Sequence, residues 1–201
     1  MELDEALERI AAIHQQMVRG QMFRGYRAAT TALSGALAFL ACGAQGLFLQ
    51  ESPLPCLGMW AGVAFLSLLI VAIEMTMRCR RSGSPLEREM TIGAAEHFLP
   101  TIVTGGLLTF VLVQFTDDLL WMLPGLWAIL FGLGVFASRR MLPRPVIFVG
   151  AHYLLSGLLC IAILQGGKLF PAWTMAMTFG AGQLFAAAIL WWSLERNDAR
   201  V

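Results

Sequence analysis

Six apolar stretches, each long enough to cross a bilayer, divide this chain, and the arginines that separate them fall on alternate connections. The stretches cover residues 28–49, 57–77, 91–115, 119–138, 145–166 and 171–192. Roughly 20 apolar residues span a hydrocarbon core of about 30 Å as a helix, and a helix satisfies every backbone N–H and C=O without help from water. The pattern therefore predicts an all-α polytopic membrane protein with six transmembrane helices. Composition agrees, because 58% hydrophobic and 13% charged residues, with a mean hydropathy of +0.70, exceed what a water-soluble core requires. Between the first and last stretch the longest connection is 78–90, which leaves no room for a second globular domain.

Orientation follows from arginine, which is retained on the cytoplasmic side of short loops. Arg9, Arg19, Arg24 and Arg27 precede the first stretch, Arg78, Arg80, Arg81 and Arg88 follow the second, Arg139, Arg140 and Arg144 follow the fourth, and Arg196 and Arg200 follow the sixth. The remaining connections hold one basic residue, Lys168. Both termini are thus expected in the cytoplasm, with Glu51, Asp117, Asp118 and Lys168 on the far side. Trp60, Trp121, Trp127 and Trp173 near the outer ends, and Phe23, Tyr26, Trp191 and Trp192 near the inner ends, read as aromatic belts. Topology accounts for the basic residues, and no basic patch with interleaved aromatics remains for nucleic acid. The preference for arginine over lysine points to a bacterial inner membrane.

Residues 1–27 read as a cytoplasmic amphipathic helix followed by a basic pre-membrane segment, and 193–201 as a cytoplasmic tail. Leu3, Ala6, Ile10, Ile13 and Met17 recur at alternating three- and four-residue steps, which places them on one helical stripe. Glu2, Asp4, Glu5 and Glu8 crowd the first turns, where the helix dipole favours acids and where a cleaved signal would be basic and apolar. No cleaved signal is expected. An acidic face does not suit anionic lipid, so the stripe over 2–22 is expected to pack on the chain's own loops or to bind a second copy or a cytoplasmic partner. Cys42, Cys56, Cys79 and Cys160 show neither a CxxC pair nor zinc spacing and read as packing residues.

The six stretches group into three hairpins with a weak internal repeat. Odd helices share Ser34-Gly35-Ala36-Leu37, Thr104-Gly105-Gly106-Leu107 and Ser156-Gly157-Leu158-Leu159. Even helices carry Gly58 and Gly62, then Gly132 and Gly134, then Gly180 and Gly182. Small residues let transmembrane backbones approach closely, so Gly35, Gly58, Gly62, Gly105, Gly132, Gly134, Gly157, Gly180 and Gly182 are expected at helix contacts. In its three tandem hairpins, chain length and hairpin glycines the sequence resembles the HdeD-like bacterial inner-membrane proteins, a family named for acid resistance. Phe23-Arg24-Gly25-Tyr26-Arg27, Pro124-Gly125-Leu126-Trp127 and Phe131-Gly132-Leu133-Gly134 are similar to six-helix membrane proteins of soil bacteria. The first resemblance implies a stress-related role, and neither supplies a catalytic or ligand residue.

Ionisable groups inside the stretches are costly in hydrocarbon and mark the place to seek chemistry. Glu96 and His97 in the third stretch and His152 in the fifth sit at a similar distance from the start of their runs, with Glu74 nearer the cytoplasmic end of the second and Gln183 in the sixth. Pro100 frees the carbonyl of Glu96 and is expected to bend the third helix. This layer admits three readings: interfacial and interhelical hydrogen bonds, a proton or ion pathway built on a histidine beside a carboxylate, and a haem or metal between His97 and His152. No GxSxG, HExxH or phosphate-binding glycine loop is present. Asp117-Asp118 reads as a helix cap. The sequence thus favours a non-enzymatic accessory, sensory or stress-related membrane protein without cofactor. The alternative is a small proton-linked transporter or channel using Glu96, His97 and His152.

Overall fold

Proline marks where the helices begin. Seven of the eight prolines lie at or just before a first helical turn, where the missing N–H costs nothing and the fixed φ is already helical. The computed structural model of the protein describes residues 28–49, 53–82, 85–165 and 171–195. The expected helix over 2–22, the basic segment that follows it and the end of the tail lie outside these residues. Helix α1 covers Ala28–Phe48, α2 Pro53–Ser82, α3 Pro85–Phe115, α4 Leu123–Ala137 and α5 Val146–Ile163. Helix α6 is one rod of changing pitch: α-helical over Ala172–Met175, a π turn over Ala176–Gly180, α-helical over Ala181–Leu190 and a second π turn over Trp191–Glu195. Among the described residues every regular element is helical, and six helices are long and apolar enough to cross a membrane.

The ends differ from the hydropathy reading for physical reasons. Helices α2 and α3 run several residues past their apolar stretches, because arginine propagates a helix as well as leucine does. Pro100, the one interior proline, is exposed, and α3 continues through it. Helix α4 starts later than expected, since Asp117–Met122 tightens into a 3-10 turn ahead of Pro124. The cap position of that turn is Thr116, which makes no side-chain cap hydrogen bond, and Asp118 is exposed. Asp118 therefore does not hold the cap position, and the side chain of Asp117 lies outside the described residues.

The tightest packing joins α4 to α5 and α1 to α6. A methyl group on Gly125 would stand 2.7 Å from the Gly157 carbonyl oxygen, one on Gly157 the same distance from the Gly125 oxygen, and one on Gly132 3.0 Å from the Gly150 oxygen. These positions lie three to four residues apart or multiples of that, so one face of α4 lies backbone to backbone on one face of α5. Across α1 and α6, Gly35 faces the Gly180 carbonyl at 3.1 Å and Gly180 receives the Phe39 ring. Gly182 receives Tyr153 of α5, and Gly134 receives Phe98 and Thr101 of α3. Gly105 makes only ordinary contacts with Trp127 and Leu130, while Gly58 and Gly62 face open space. These two are the exceptions to the expected contact set, and Gly125 and Gly150 join it.

Helices α2 and α3 flank this four-helix centre, and their buried described side chains lie at the end away from the arginines. The buried residues of α2 are Cys56, Leu57 and Trp60; none described from Ala61 to Arg81 is buried. Leu112 is the one buried side chain described in α3, and it clusters with Leu57, Leu120 and Leu123. Two indole N–H groups fasten this end. Trp60 Nε1 donates to Gln45 Oε1 of α1 at 2.7 Å, and Trp127 Nε1 donates to Thr109 Oγ1 of α3 at 2.8 Å. Trp60 is therefore not a belt residue: it is 2% exposed and satisfies a buried amide. Around the outside large apolar side chains are exposed, among them Leu47, Phe48, Phe65, Leu107, Phe148 and Leu155.

The two classes of glycine give a paired prediction for unfolding in detergent. Gly157→Ala should lower stability by about 1–3 kcal/mol through overpacking against Gly125, whereas Gly62→Ala should leave it unchanged or slightly raised. Equal losses in the two variants would contradict the α4–α5 contact.

Candidate functional site

The polar groups of the bundle centre gather along the seam between α5 and α6. Antiparallel packing brings Tyr153 opposite Gly182 and Cys160 opposite Thr174, whose side chains hydrogen-bond. Hydroxyls in an apolar seam need local acceptors. Thr174 Oγ1 donates to the Pro171 carbonyl at 2.7 Å, Thr178 Oγ1 to the Thr174 carbonyl at 2.8 Å and Ser156 Oγ to the Tyr153 carbonyl at 3.3 Å.

His152 closes the seam through the irregular part of α6. In the π turn the Ala181 N–H is shared between the Ala176 carbonyl oxygen and the Thr178 carbonyl oxygen. His152 Nε2 lies 3.2 Å from that oxygen. A carbonyl only accepts, so Nε2 carries the proton and Nδ1 is left with its lone pair. A π turn is rare and needs such outside support.

Beside it, Tyr153 is fully buried among Phe131 at 4.7 Å, Phe179 at 5.5 Å and His152 at 5.6 Å between ring centroids. Phe98 of α3 adds an edge contact to Phe131 at 4.9 Å. The Tyr153 hydroxyl is pressed against Gly182, 2.7 Å from where a Cβ would stand, and has no hydrogen-bond partner. Ser138 Oγ, at the end of α4, is the other buried side-chain group of this kind among the described residues.

The third-helix pair lies elsewhere. Glu96 and His97 are both exposed on α3, and Glu96 forms no ion pair among the described residues. His97 Nδ1 donates to the Gly93 carbonyl of its own helix at 2.6 Å, which leaves Nε2 as the outward acceptor. The two histidines are thus held in opposite tautomers with partners on different helices. Nor do they share a level. Phe98 and Thr101 stand at Gly134, and Gly150 stands at Gly132, so His152 lies more than one turn of about 5.4 Å farther from the arginine end than His97. Glu74 is half-buried on α2, and Gln183, half-buried next to Gly182, makes no hydrogen bond among the described residues. The structure brings His152 to Thr178 and Tyr153, not to Glu96 or His97.

All four cysteines are free, and the described residues hold no group of three or more His, Cys, Asp or Glu side chains placed for a metal. The seam offers one unused phenol O–H and one imidazole acceptor. Comparison with known proteins adds nothing to this geometry: no family model, curated protein or solved structure matches the chain.

The unsatisfied phenol gives a test. Removing a buried hydroxyl that lacks a partner recovers its desolvation cost, about 1–3 kcal/mol. Tyr153→Phe should therefore melt at a higher temperature than the parent chain, as followed by circular dichroism in detergent. A lower melting temperature would show that the hydroxyl has a partner in solution.

Proposed function

We propose that the chain is a multi-pass integral membrane protein of accessory, non-enzymatic character, working as a sensory or stress-related component of a bacterial inner membrane. The reading rests chiefly on one observation: a glycine-packed four-helix centre flanked by two further helices, with large apolar side chains of all six facing outward. Such a surface suits lipid and would drive aggregation in water. The arginines support one orientation. Arg80 and Arg81 at the end of α2 and Arg139 and Arg144 between α4 and α5 gather at one end of the antiparallel bundle, and retention of arginine on the cytoplasmic side makes that end inner. With both termini inside, the chain forms three hairpins that turn on the outer side. The likeness of these hairpins to HdeD-like proteins supports a stress-related role.

The working parts in this reading are residues 2–22, which reach a second copy or a cytoplasmic partner, and the polar seam, which sets the shape of the bundle. Two experiments test it. In a cysteine-free background, Lys168→Cys should react with a membrane-impermeant maleimide in intact cells, while Arg139→Cys should react only after lysis. In a host made dependent on the chain, loss of residues 1–20 should abolish complementation, whereas Glu96→Gln or His97→Gln should retain it. The reverse result would replace this reading with a proton-linked transporter.

A further inference from the structure

The arginine-end half of α2 carries a shallow groove of about 280 Å³, lined among the described residues by Ala72, Ile73, Thr76, Met77 and Arg80. These residues recur at the spacing of one helical face. The face continues away from the arginine end through Leu69, Leu66 and Phe65, all exposed. Its polarity is confined to one place. Thr76 Oγ1 already donates to the Ala72 carbonyl at 2.7 Å, which leaves a hydrocarbon lining. Arg80 is exposed at the mouth and makes no hydrogen bond or ion pair among the described residues. Glu74, the nearest acid on α2, is six residues away and projects from the other side of the helix. From Leu69 to Arg80 is about 16 Å at 1.5 Å per residue, the depth of one leaflet of a core of about 30 Å.

An apolar groove along the arginine-end half of one helix, with the exposed Arg80 guanidinium at its mouth and Arg81 beside it, has the chemistry to take a phospholipid of negative charge. We propose that this groove binds one anionic phospholipid of the arginine-end leaflet, with an acyl chain along Ala72, Ile73 and Met77 and the phosphate on Arg80. Guanidinium matches phosphate geometry with two parallel N–H donors and is weakly hydrated, so it exchanges water for phosphate readily. A zwitterionic lipid would fill the channel equally well and would set its own cation beside Arg80. The selectivity therefore lies in the headgroup. The proposal rests on the membrane reading given above.

The test is native mass spectrometry of the full-length chain released from nanodiscs of phosphatidylcholine and phosphatidylglycerol in equal amounts, preceded by flotation with vesicles of the same composition. The parent chain should retain one phosphatidylglycerol. Retention should fall about fivefold in Arg80→Gln, the worth of one basic residue near an anionic surface, and equally in Ala72→Trp, which fills the channel. Arg144→Gln, an exposed arginine at the same end, should retain lipid as the parent does. The proposal is overturned if both lipids are retained alike, or if Arg80→Gln and Ala72→Trp match the parent. It is equally overturned if phosphatidylglycerol binds only after residues 1–20 are removed, because the acidic segment with Glu2, Asp4, Glu5 and Glu8 would then be the occupant. A chain that fails to float defeats the membrane reading itself, an outcome distinct from floating without headgroup preference.

Discussion

Contact between the α4 and α5 backbones is the constraint on which the remaining packing depends. With Gly125, Gly132, Gly150 and Gly157 in the shared face, each carbonyl ladder comes within van der Waals reach of the other, and no rotation of either helix preserves that fit. Once α4 and α5 are fixed, the ring of Phe131 and the ring of Tyr153 meet above the seam, and Gly182 of α6 is the residue that leaves room for the phenol. Helix α6 then carries α1 with it through Gly180 and Gly35. Sulfur and hydroxyl side chains fill the space that remains, as Cys160 against Thr174 and Cys56 beside Trp60 illustrate.

Much of this frame is written in the sequence, and the part that is not has physical causes. Hydropathy locates the C-terminal end of α1 to within a residue because the apolar run there meets Gln50 and Glu51 close to where the helix stops. It misses the extensions of α2 and α3, since a transfer scale stops at arginine and a backbone hydrogen-bond ladder does not. Gly125 and Gly150 entered the contact set only with the structure, whereas Gly132, Gly134, Gly157, Gly180 and Gly182 were legible as contact positions because small residues let transmembrane helices approach closely. Their partners were not. Gly58 and Gly62 have the same spacing as productive contacts, yet α2 meets nothing there, because pairing depends on which helices neighbour one another and no local pattern states that.

The polar groups divide in the same way. Reading Glu96, His97 and His152 as a layer depended on counting from where apolar runs begin, and helices that begin at different heights break that count. The grouping of His152 with Thr178 was hidden because a π turn has no sequence signature; one extra residue per turn is a tertiary decision. Two buried polar residues did leave a trace. Gln45 and Tyr153 are polar side chains in otherwise apolar surroundings, and a buried amide or phenol demands an explanation. Gln45 finds one in the Trp60 indole.

Helix α2 has its buried described residues, Cys56, Leu57 and Trp60, within its first eight residues, so its packing against the centre is concentrated at one end. Its 30 residues make a rod of about 45 Å, longer than the hydrocarbon core of any ordinary bilayer. A helix of excess length tilts, and one packed chiefly at one end tilts about that end. The opposite end carries Arg80 and Arg81. In a bilayer the height of those two charges is therefore set by hydrocarbon thickness, and a thinner or thicker membrane moves them against a centre that stays still.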